Sequence, residues 1–200
     1  MRIALSGQPS RQQSQVEMRI ATLTTDDEHL IEELENKQEA TIQEKKKPNE
    51  FQNKLIIHYT HEKRFNTHAL TIRQISGTTR ITGGGAKGAQ DKVIQHNGGE
   101  TIIVTDFYVQ DFGKLWRSCG NCGTQYPRHL QLNGVIAKNG KVLAGGNGNY
   151  NDTVRISNTC ATNVISICDT YKGCNNGCAP AKISSGPSSV CLYRTTDIRC

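Results

Sequence analysis

The segment LQLNGVIA at residues 130–137 recurs in altered form at three other places in the chain. The template has eight positions. The first and third are apolar, the sixth and eighth are small or apolar, and the other four can be any residue. The other copies are TRITGGGA at 79–86, IIVTDFYV at 102–109 and VRISNTCA at 154–161. Their starts are 23, 28 and 24 residues apart, and no helix-length amphipathic segment separates them.

Each copy begins as an alternating strand, turns at a polar or glycine pair and resumes as a strand. Short strands that recur at about the length of one coil, with Asn and Gly at the turns, are typical of a right-handed parallel β-helix. Ile, Val and Leu would then face inward and the alternate residues outward. We expect Asn133, Asn147 and Asn158 at turns, because Asn tolerates left-handed backbone. From spacing alone, an antiparallel sandwich stays open as the alternative all-β fold.

Residues 1–66 differ from the rest of the chain in charge and in pattern. They hold ten Lys and Arg against eleven Asp and Glu, a net charge of −1, whereas residues 67–200 hold fourteen against seven, a net charge of +7. Residues 1–24 are polar and without periodicity, which indicates disorder. Residues 26–47 open with a capping-box pattern and end in KKK, which predicts an exposed or coiled-coil-like helix. We therefore predict a charged, partly helical or disordered segment over 1–66 and an all-β domain over 67–200.

All the cysteines lie in that second part, and their number is even. Such usage in a Gly-rich segment is typical of a disulfide-bearing secreted domain. The apolar run at the N-terminus is nevertheless too short for a signal peptide, and no apolar run is long enough for a transmembrane helix. The disulfide candidates are Cys119, Cys122, Cys160, Cys168, Cys174, Cys178, Cys191 and Cys200.

The segment DFGKLWRSCGNCGTQYPRH at residues 111–129 places a Cys-x-x-Cys pair among cations. Cys119 and Cys122 could be half of a zinc site with His129, a redox pair, or a disulfide that clamps a turn. A second cysteine pair at metal spacing is missing, and the segment does not resemble the start of a helix. These features favour the local disulfide. Cys174 and Cys178 are close enough to bridge each other, but the full connectivity stays open.

Three cations could form one cluster on the outside of a β-helix. Lys92 and Lys114 are 22 residues apart, and Arg117 follows three residues after Lys114. In a β-helix with coils of about that length, positions one coil apart stack on one another. The alternative is that these are scattered surface cations. The basic excess of the domain favours a polyanionic partner: nucleic acid, an anionic membrane or an acidic polysaccharide.

The chain closely resembles family 3 pectate lyases from about residue 69 to residue 198. The stretches that carry the resemblance are ITGGGAKGAQDKVIQHNGG (81–99), FYVQDFGKLWRSCGNCGTQYPRH (107–129), NGKVLAGGNGNYNDT (139–153) and the part that begins with ICDTYKG (167–173). The resemblance implies a secreted, calcium-dependent enzyme with a parallel β-helix fold. It also implies a reaction, the eliminative cleavage of (1→4)-α-D-galacturonan (pectate, or polygalacturonate) to unsaturated oligogalacturonides.

The resemblance also assigns roles to the positions that match the family's motifs. It makes Arg117 the base, with Lys92 and Lys114 as catalytic cations that bind substrate carboxylates. Arg73 keeps the charge of a lysine that is common in the family, and Arg73 and Arg128 are further expected substrate contacts. The implied partner is an acidic polysaccharide, with no nucleic acid or membrane as partner, and the expected state is a monomer. A nucleic-acid binder would need aromatics interleaved with its cations.

The chain departs from the family just before residue 70. Acids that bind calcium in the family are replaced by Thr67 and His68. The coils that should precede them are expected to be absent, with unrelated sequence in their place. Calcium prefers several oxygen ligands with carboxylates among them, so its ligands stay unassigned, and an open first coil should weaken the fold. The alternative function is therefore a catalytically impaired, polyuronate-binding β-helix.

Overall fold

The computed structural model describes residues 17–19, 40–42 and 52–56 as strands and residues 70–200 in full. Among these residues, no helix is long and apolar enough to cross a membrane. Two 3-10 helices span Gly148–Tyr150 and Thr195–Asp197. The strands are β1 (Glu17–Arg19), β2 (Ala40–Ile42), β3 (Gln52–Ile56), β4 (Leu70–Ile72), β5 (Thr78–Thr82), β6 (Gly85–Lys87), β7 (Lys92–His96), β8 (Thr101–Thr105), β9 (Tyr108–Ser118), β10 (His129–Asn133), β11 (Ile136–Asn147), β12 (Thr153–Ser157), β13 (Cys160–Lys172), β14 (Ala181–Ser185) and β15 (Cys191–Leu192).

The strands form two sheets, to which successive coils of the chain contribute in turn. One sheet has the order β1-β3-β5-β8-β10-β12-β15, and the other has the order β14-β13-β11-β9-β7-β4-β2, with β6 also paired to β9. Every pairing is parallel except that of β13 with β14, which is antiparallel. The predicted parallel β-helix is confirmed, and the sandwich alternative is wrong.

The four repeated segments stack in the register that their spacing predicts. Ile102 pairs with Thr79 on one side and with Leu130 on the other, and Leu130 pairs with Val154. These partners are the first residues of the four segments. Their apolar third positions form a buried column, because strands in register place equivalent side chains above one another. That column consists of Ile81, Val104, Leu132 and Ile156, each at most 3% exposed.

Left-handed residues mark two corners of each coil, because a sharp change of strand direction needs positive φ. Asn158 is at one corner, as predicted, whereas Asn133 and Asn147 are not left-handed and that part of the prediction is wrong. Asn133 ends β10 and accepts a hydrogen bond from Asn158 Nδ2 at 2.9 Å. The two sets are Gly83, Asp106, Gly134 and Asn158, and Gly88, Asp111, Asn139 and Asn163, with φ between 46° and 78°.

Strands before residue 57 continue both sheets toward the N-terminus. β3 pairs with β5, β1 pairs with β3, and β2 pairs with β4. The helix predicted over 26–47 is therefore wrong at residues 40–42, which form β2. The predicted open first coil is also wrong. The coil that contains β4 and β5 is covered, because β2 pairs with β4 and β3 pairs with β5. The rest of the predicted helix and the disorder predicted for residues 1–24, apart from β1, lie outside the described residues.

Four disulfides join the eight cysteines, which confirms the disulfide-bearing domain that the sequence predicts. Two are local, Cys119–Cys122 and Cys174–Cys178. Two span longer separations, Cys160–Cys200 and Cys168–Cys191, of 40 and 23 residues. These two longer-range disulfides tie Cys200 and Cys191, near the C-terminus, to β13. Because Cys119 and Cys122 are bonded to each other, neither is a thiolate ligand for zinc.

His96 on β7 makes the stability of the fold sensitive to acid. Its side chain is fully buried, its ring lies 5.9 Å from that of Trp116, and neither ring nitrogen is hydrogen-bonded to a residue within 70–200. Burial lowers the pKa of His96 well below its usual value, and the positive charge of Arg128 lowers it further. The folded protein therefore holds His96 neutral, while the unfolded chain protonates it below about pH 6.5.

We expect the free energy of unfolding to be retained above about pH 6.5 and to fall below it, by up to about 1.4 kcal/mol per pH unit from this one group. Stability falls with falling pH because the unfolded state binds more protons than the folded state in that range. Urea denaturation of the unaltered chain and of His96→Phe at several pH values measures this. The variant should lose less stability between about pH 6.5 and 5. An equal loss in both proteins would contradict the assignment.

Candidate active site

Two columns of paired residues place the predicted cations on the sheet that contains β7, β9, β11 and β13. In the first column Lys92 pairs with Lys114, and Lys114 pairs with Val142. In the second column Gln95 pairs with Arg117, Arg117 with Gly145, and Gly145 with Asp169. The structure thus stacks Lys92 on Lys114, as the 22-residue spacing predicts, and places Arg117 one column farther along the same strand.

The strand between these columns does not alternate. Leu115 and Trp116 are consecutive, both are fully buried, and both belong to the apolar core. A regular strand would put one of them outside, so the in-and-out alternation of β9 is broken between Lys114 and Arg117.

The cations are close enough to affect one another's protonation. Lys114 is half-buried, and burial lowers its pKa; the carboxylate of Asp91 opposes this shift, whereas the charges of Lys92, Arg117 and Lys141 add to it. Lys92 Nζ pairs with the carboxylate of Asp91. The cluster therefore attracts anions, because it contains several cations and one nearby carboxylate.

Arg117 is held at the edge of this cluster by one of its two terminal nitrogens. Nη1 donates to the Ser118 carbonyl at 2.7 Å, to the Gly145 carbonyl at 3.1 Å and to Asn147 Oδ1 at 3.1 Å. The residue is only 6% exposed. Burial lowers the pKa of Arg117 to about 10, although the neighbouring Tyr171, Asp152 and Asp169 act in the opposite direction.

Asn147 is in turn fixed by a buried carboxylate, so the Nη1 side of Arg117 is rigidly supported. Asp152 Oδ2 accepts from the Asn147 backbone N–H at 2.6 Å and from its Nδ2 at 3.1 Å. Asn147 Nδ2 also donates to Ser118 Oγ at 2.8 Å. Asn147 is fully buried and Asp152 is 2% exposed. With its amide nitrogen engaged in these bonds, Asn147 must point its oxygen at Arg117.

The surroundings of Arg128 argue against its predicted role as a substrate contact. Its side chain is completely buried, and its guanidinium is used entirely within the protein. It donates to the carbonyl oxygens of Gly98 at 2.6 Å, Asn97 at 2.9 Å, Cys119 at 3.1 Å and Tyr126 at 3.3 Å, and to Gln125 Oε1 at 2.9 Å. Its role is to fasten the loop that contains the Cys119–Cys122 disulfide.

The remaining predicted residues lie apart from the cluster or outside the described range. Arg73 is exposed and follows β4, two positions beyond Thr71, which pairs with Gln95 of the Arg117 column. Its charge could reach a long ligand at the edge of the site. Thr67 and His68 lie outside the described residues, so their effect on calcium binding stays a prediction.

The described residues do not fit a calcium site. Within residues 70–200 no three His, Cys, Asp or Glu side chains come together as metal ligands. The carboxylate beside the lysines belongs to Asp91 and is paired with Lys92. Asp111 is a corner residue whose carboxylate accepts from Gln110 and Asn139. One carboxylate among several cations is a poor ligand set for a hard divalent cation.

A family model with the description "Pectate lyase" matches residues 57–178, more than half of the chain. The chain belongs to the pectate lyase family. The matched range begins before residue 67, where our sequence division placed the start of the family-like domain.

Pectate lyase H of Emericella nidulans is 56% identical over 127 residues, which is 62% of this chain and 49% of that protein. Probable pectate lyase E of Aspergillus fumigatus is 54% identical over 126 residues, with the same two coverages. The chain thus spans about half the length of these curated relatives.

Solved structures of pectate lyases share the fold. Pectate lyase PelI from Erwinia chrysanthemi, in complex with tetragalacturonic acid, superposes with a TM-score of 0.61 at 28% identity. The superposition covers 74% of this chain and 51% of that one. The catalytic domain of PelI superposes with a TM-score of 0.59 at 25% identity, over 74% of this chain and 81% of the domain.

Sequence reasoning missed the residues that surround Arg117. Asn147 was expected at a turn, and Asp152, Asp169 and Tyr171 were not singled out at all. The repeat spacing contained part of the signal. The offsets of 28 and 24 residues that relate the last three repeats also lead from Arg117 to Gly145 and then to Asp169. Applying the same period to a suspected functional residue would have pointed to its neighbours in later coils.

Proposed function

We propose that this chain acts as a pectate lyase, which binds polygalacturonate and cleaves it by β-elimination. Its family membership supports this, as do relatives named pectate lyase and a structural neighbour solved with tetragalacturonic acid. The observation that carries the proposal is the stack of Lys92 on Lys114 beside a largely buried Arg117. The proposed substrate is a polymer with one carboxylate per sugar, which such a row of cations would attract.

In the proposed reaction, a base removes the proton on C5 of a galacturonate unit. The electrons of that C–H bond form a C4–C5 double bond, the C4–O bond breaks, and the departing oxygen takes the bond's electron pair and a proton from water. Charge develops on the carboxylate next to C5 in the transition state. Lys92 and Lys114 would stabilise that charge, since fixed cations near developing negative charge lower the barrier.

Arg117 is the proposed base. An ordinary arginine holds its proton too tightly for this role, but burial lowers the pKa of Arg117 to about 10. Its three hydrogen bonds to described residues all use Nη1, which leaves Nε and Nη2 to face a substrate. Since only neutral guanidine can accept the C5 proton, the rate should rise with pH until about pH 10.

The alternative is a polyuronate-binding β-helix that does not turn over its ligand. It is favoured by one observation, the poor fit of the described residues to a calcium ion. The resemblance implies a calcium requirement, so an assay must be run with and without added calcium. The proposed location is extracellular, and the support for it is the four disulfides.

The test measures product formation and binding separately. The full chain is incubated with polygalacturonate at alkaline pH, and the ultraviolet absorbance of the unsaturated product is followed. Binding is measured by calorimetry at two salt concentrations, with Lys114→Met compared with Lys138→Met, an exposed lysine on β11. We expect product, and binding that weakens with salt because the contacts are ionic.

Lys114→Met should weaken binding by about tenfold or more, since a partly desolvated ionic contact contributes about 1.4 kcal/mol or more. Lys138→Met should bind like the unaltered chain. Binding without product, with or without calcium, would sink the lyase proposal and support the alternative. A folded chain that neither binds nor cleaves polygalacturonate would contradict both.

A further inference from the structure

An aromatic ring covers the face of Arg117. The centre of the Tyr171 ring lies 4.0 Å from Arg117 Cζ, in a cation–π stack. Gly145 lies against both side chains. A Cβ atom at position 145 would come within 2.9 Å of Tyr171 Cε2 and 3.2 Å of Arg117 Cδ. The stack therefore requires glycine at this step of the column, and a larger residue would push the ring or the guanidinium aside.

The hydroxyl of Tyr171 is held by a buried carboxylate. It donates to Asp169 Oδ2 at 3.1 Å, and Asp169 is 1% exposed. The same carboxylate accepts from Ser166 Oγ at 2.6 Å and Ser185 Oγ at 2.7 Å, and it pairs with Lys182 Nζ at 3.0 Å. With four donors around two oxygens, the carboxylate has little freedom to rotate.

Two of these four donors come from β14, the antiparallel strand at the end of the sheet. Lys182 and Ser185 are both exposed residues of β14, and the strand buries no side chain of its own. Its contribution to the core is thus small, whereas its contribution to Asp169 is half of the hydrogen bonds. β14 therefore contributes more to the hydrogen bonding of Asp169 than to the apolar core.

We propose that Asp169 is a positioning residue for Arg117, which it orients by holding the Tyr171 ring against the guanidinium, with β14 fixing Asp169 in place. This inference rests on the proposed function, in which Arg117 takes the C5 proton. Nη1 is tied by Asn147 and Gly145, and the ring of Tyr171 covers one face. The remaining nitrogens can then point in only one direction, which is what a near-attack geometry demands.

Protonation of these groups is consistent with that role. Burial would raise the pKa of Asp169, but its hydrogen bonds outweigh this and lower it, so the carboxylate stays ionised. Burial and then the charge of Asp169 raise the pKa of Tyr171 to about 12. Tyr171 therefore stays neutral where Arg117, with its pKa of about 10, loses its proton. The charged or titratable groups that act on Arg117 from its surroundings are Tyr171, Asp152, Arg128 and Asp169, and Arg117 in turn acts on Lys114.

The test compares Asp169→Asn with Asp106→Asn, a matched change at an exposed corner residue. In the full chain, Asp169→Asn should lower kcat for polygalacturonate by about 10- to 100-fold, since a small misplacement of a reacting group can cost that much, with little change in KM. The acidic limb of its pH profile should move to lower pH, because a charge that favours protonated Arg117 has been removed. Asp106→Asn should behave like the unaltered chain.

A second measurement is independent of turnover. The Nε–H signal of Arg117 is identified by its loss in Arg117→Lys, and ring stacking should shift it in the NMR spectrum. Tyr171→Leu and Asp169→Asn should abolish that shift, and Tyr171→Phe should retain part of it. If Asp169→Asn fails to fold, Lys182→Met, a change at a half-exposed side chain, tests the same support and should reduce both kcat and the shift.

These two readouts separate the inference from the proposed function. A chain that forms no product but loses the ring shift in Asp169→Asn would overturn the lyase proposal and keep the positioning of Arg117. A folded Asp169→Asn with the kcat, pH profile and ring shift of the unaltered chain would overturn the inference. A fall in kcat with an unchanged ring shift would overturn it as well, because Asp169 would then act by another route.

Discussion

Arg117→Ala should reduce the rate of unsaturated product formation by about 10²- to 10⁴-fold, the range expected when a general base is removed. Alanine has no group that can take the C5 proton, and water would have to do so. Arg117→Lys should be almost as slow. A lysine can carry the charge, but it cannot donate to Gly145 and Asn147 while also presenting a second nitrogen to the substrate.

The matched control is Arg155→Ala, an exposed arginine on β12 in the other sheet. It removes the same charge from the protein without touching the site, so the rate should stay near that of the unaltered chain. Circular dichroism and urea denaturation establish that each variant is folded. If folded Arg117→Ala forms product as fast as Arg155→Ala, Arg117 is not the base, and another group near Lys114 on β9 must be sought.

The repeated pattern was sufficient to predict how the coils stack. A parallel β-helix adds one similar unit at a time, so the spacing of repeats is also the register of the strands. For this reason the offsets of 23, 28 and 24 residues between the four segments reappear in the pairs that join β5, β8, β10 and β12. The same logic placed Lys92 next to Lys114.

The surroundings of single side chains were not predictable in this way. How much of a guanidinium is hydrogen-bonded within the protein depends on loops distant in the sequence. No local pattern distinguished Arg128, which is bonded through all three nitrogens, from Arg117, which is bonded through Nη1. The repeat spacing leads from Arg117 to Gly145 and then to Asp169. It does not show that Asn147 and Tyr171, two residues farther along those strands, contact the guanidinium. The wrong helix at residues 40–42 has a different cause. Its charges favour a helix only weakly, and pairing of β2 with β4 overrides that preference.

Arg128→Ala should destabilise the protein by about 3 kcal/mol, because it leaves several buried carbonyl oxygens without a donor. The guanidinium bridges two separate parts of the chain. On one side are the Gly98 and Asn97 carbonyls, and on the other are the Cys119 and Tyr126 carbonyls. Burial lowers the pKa of Arg128, with the charge of Asp152 opposing the shift, so its ionised form is held by these acceptors.

Urea denaturation of Arg128→Ala, Arg128→Lys and Arg155→Ala tests this. Arg155→Ala should lie within about 0.5 kcal/mol of the unaltered chain, as exposed substitutions usually do. Arg128→Lys should recover little, since one ammonium cannot span both groups of carbonyls. An unchanged free energy of unfolding in Arg128→Ala, together with weaker binding of polygalacturonate, would contradict this prediction. It would restore Arg128 to the substrate-binding role that the sequence suggested, and it would mean that the loop above this residue opens to admit the polymer.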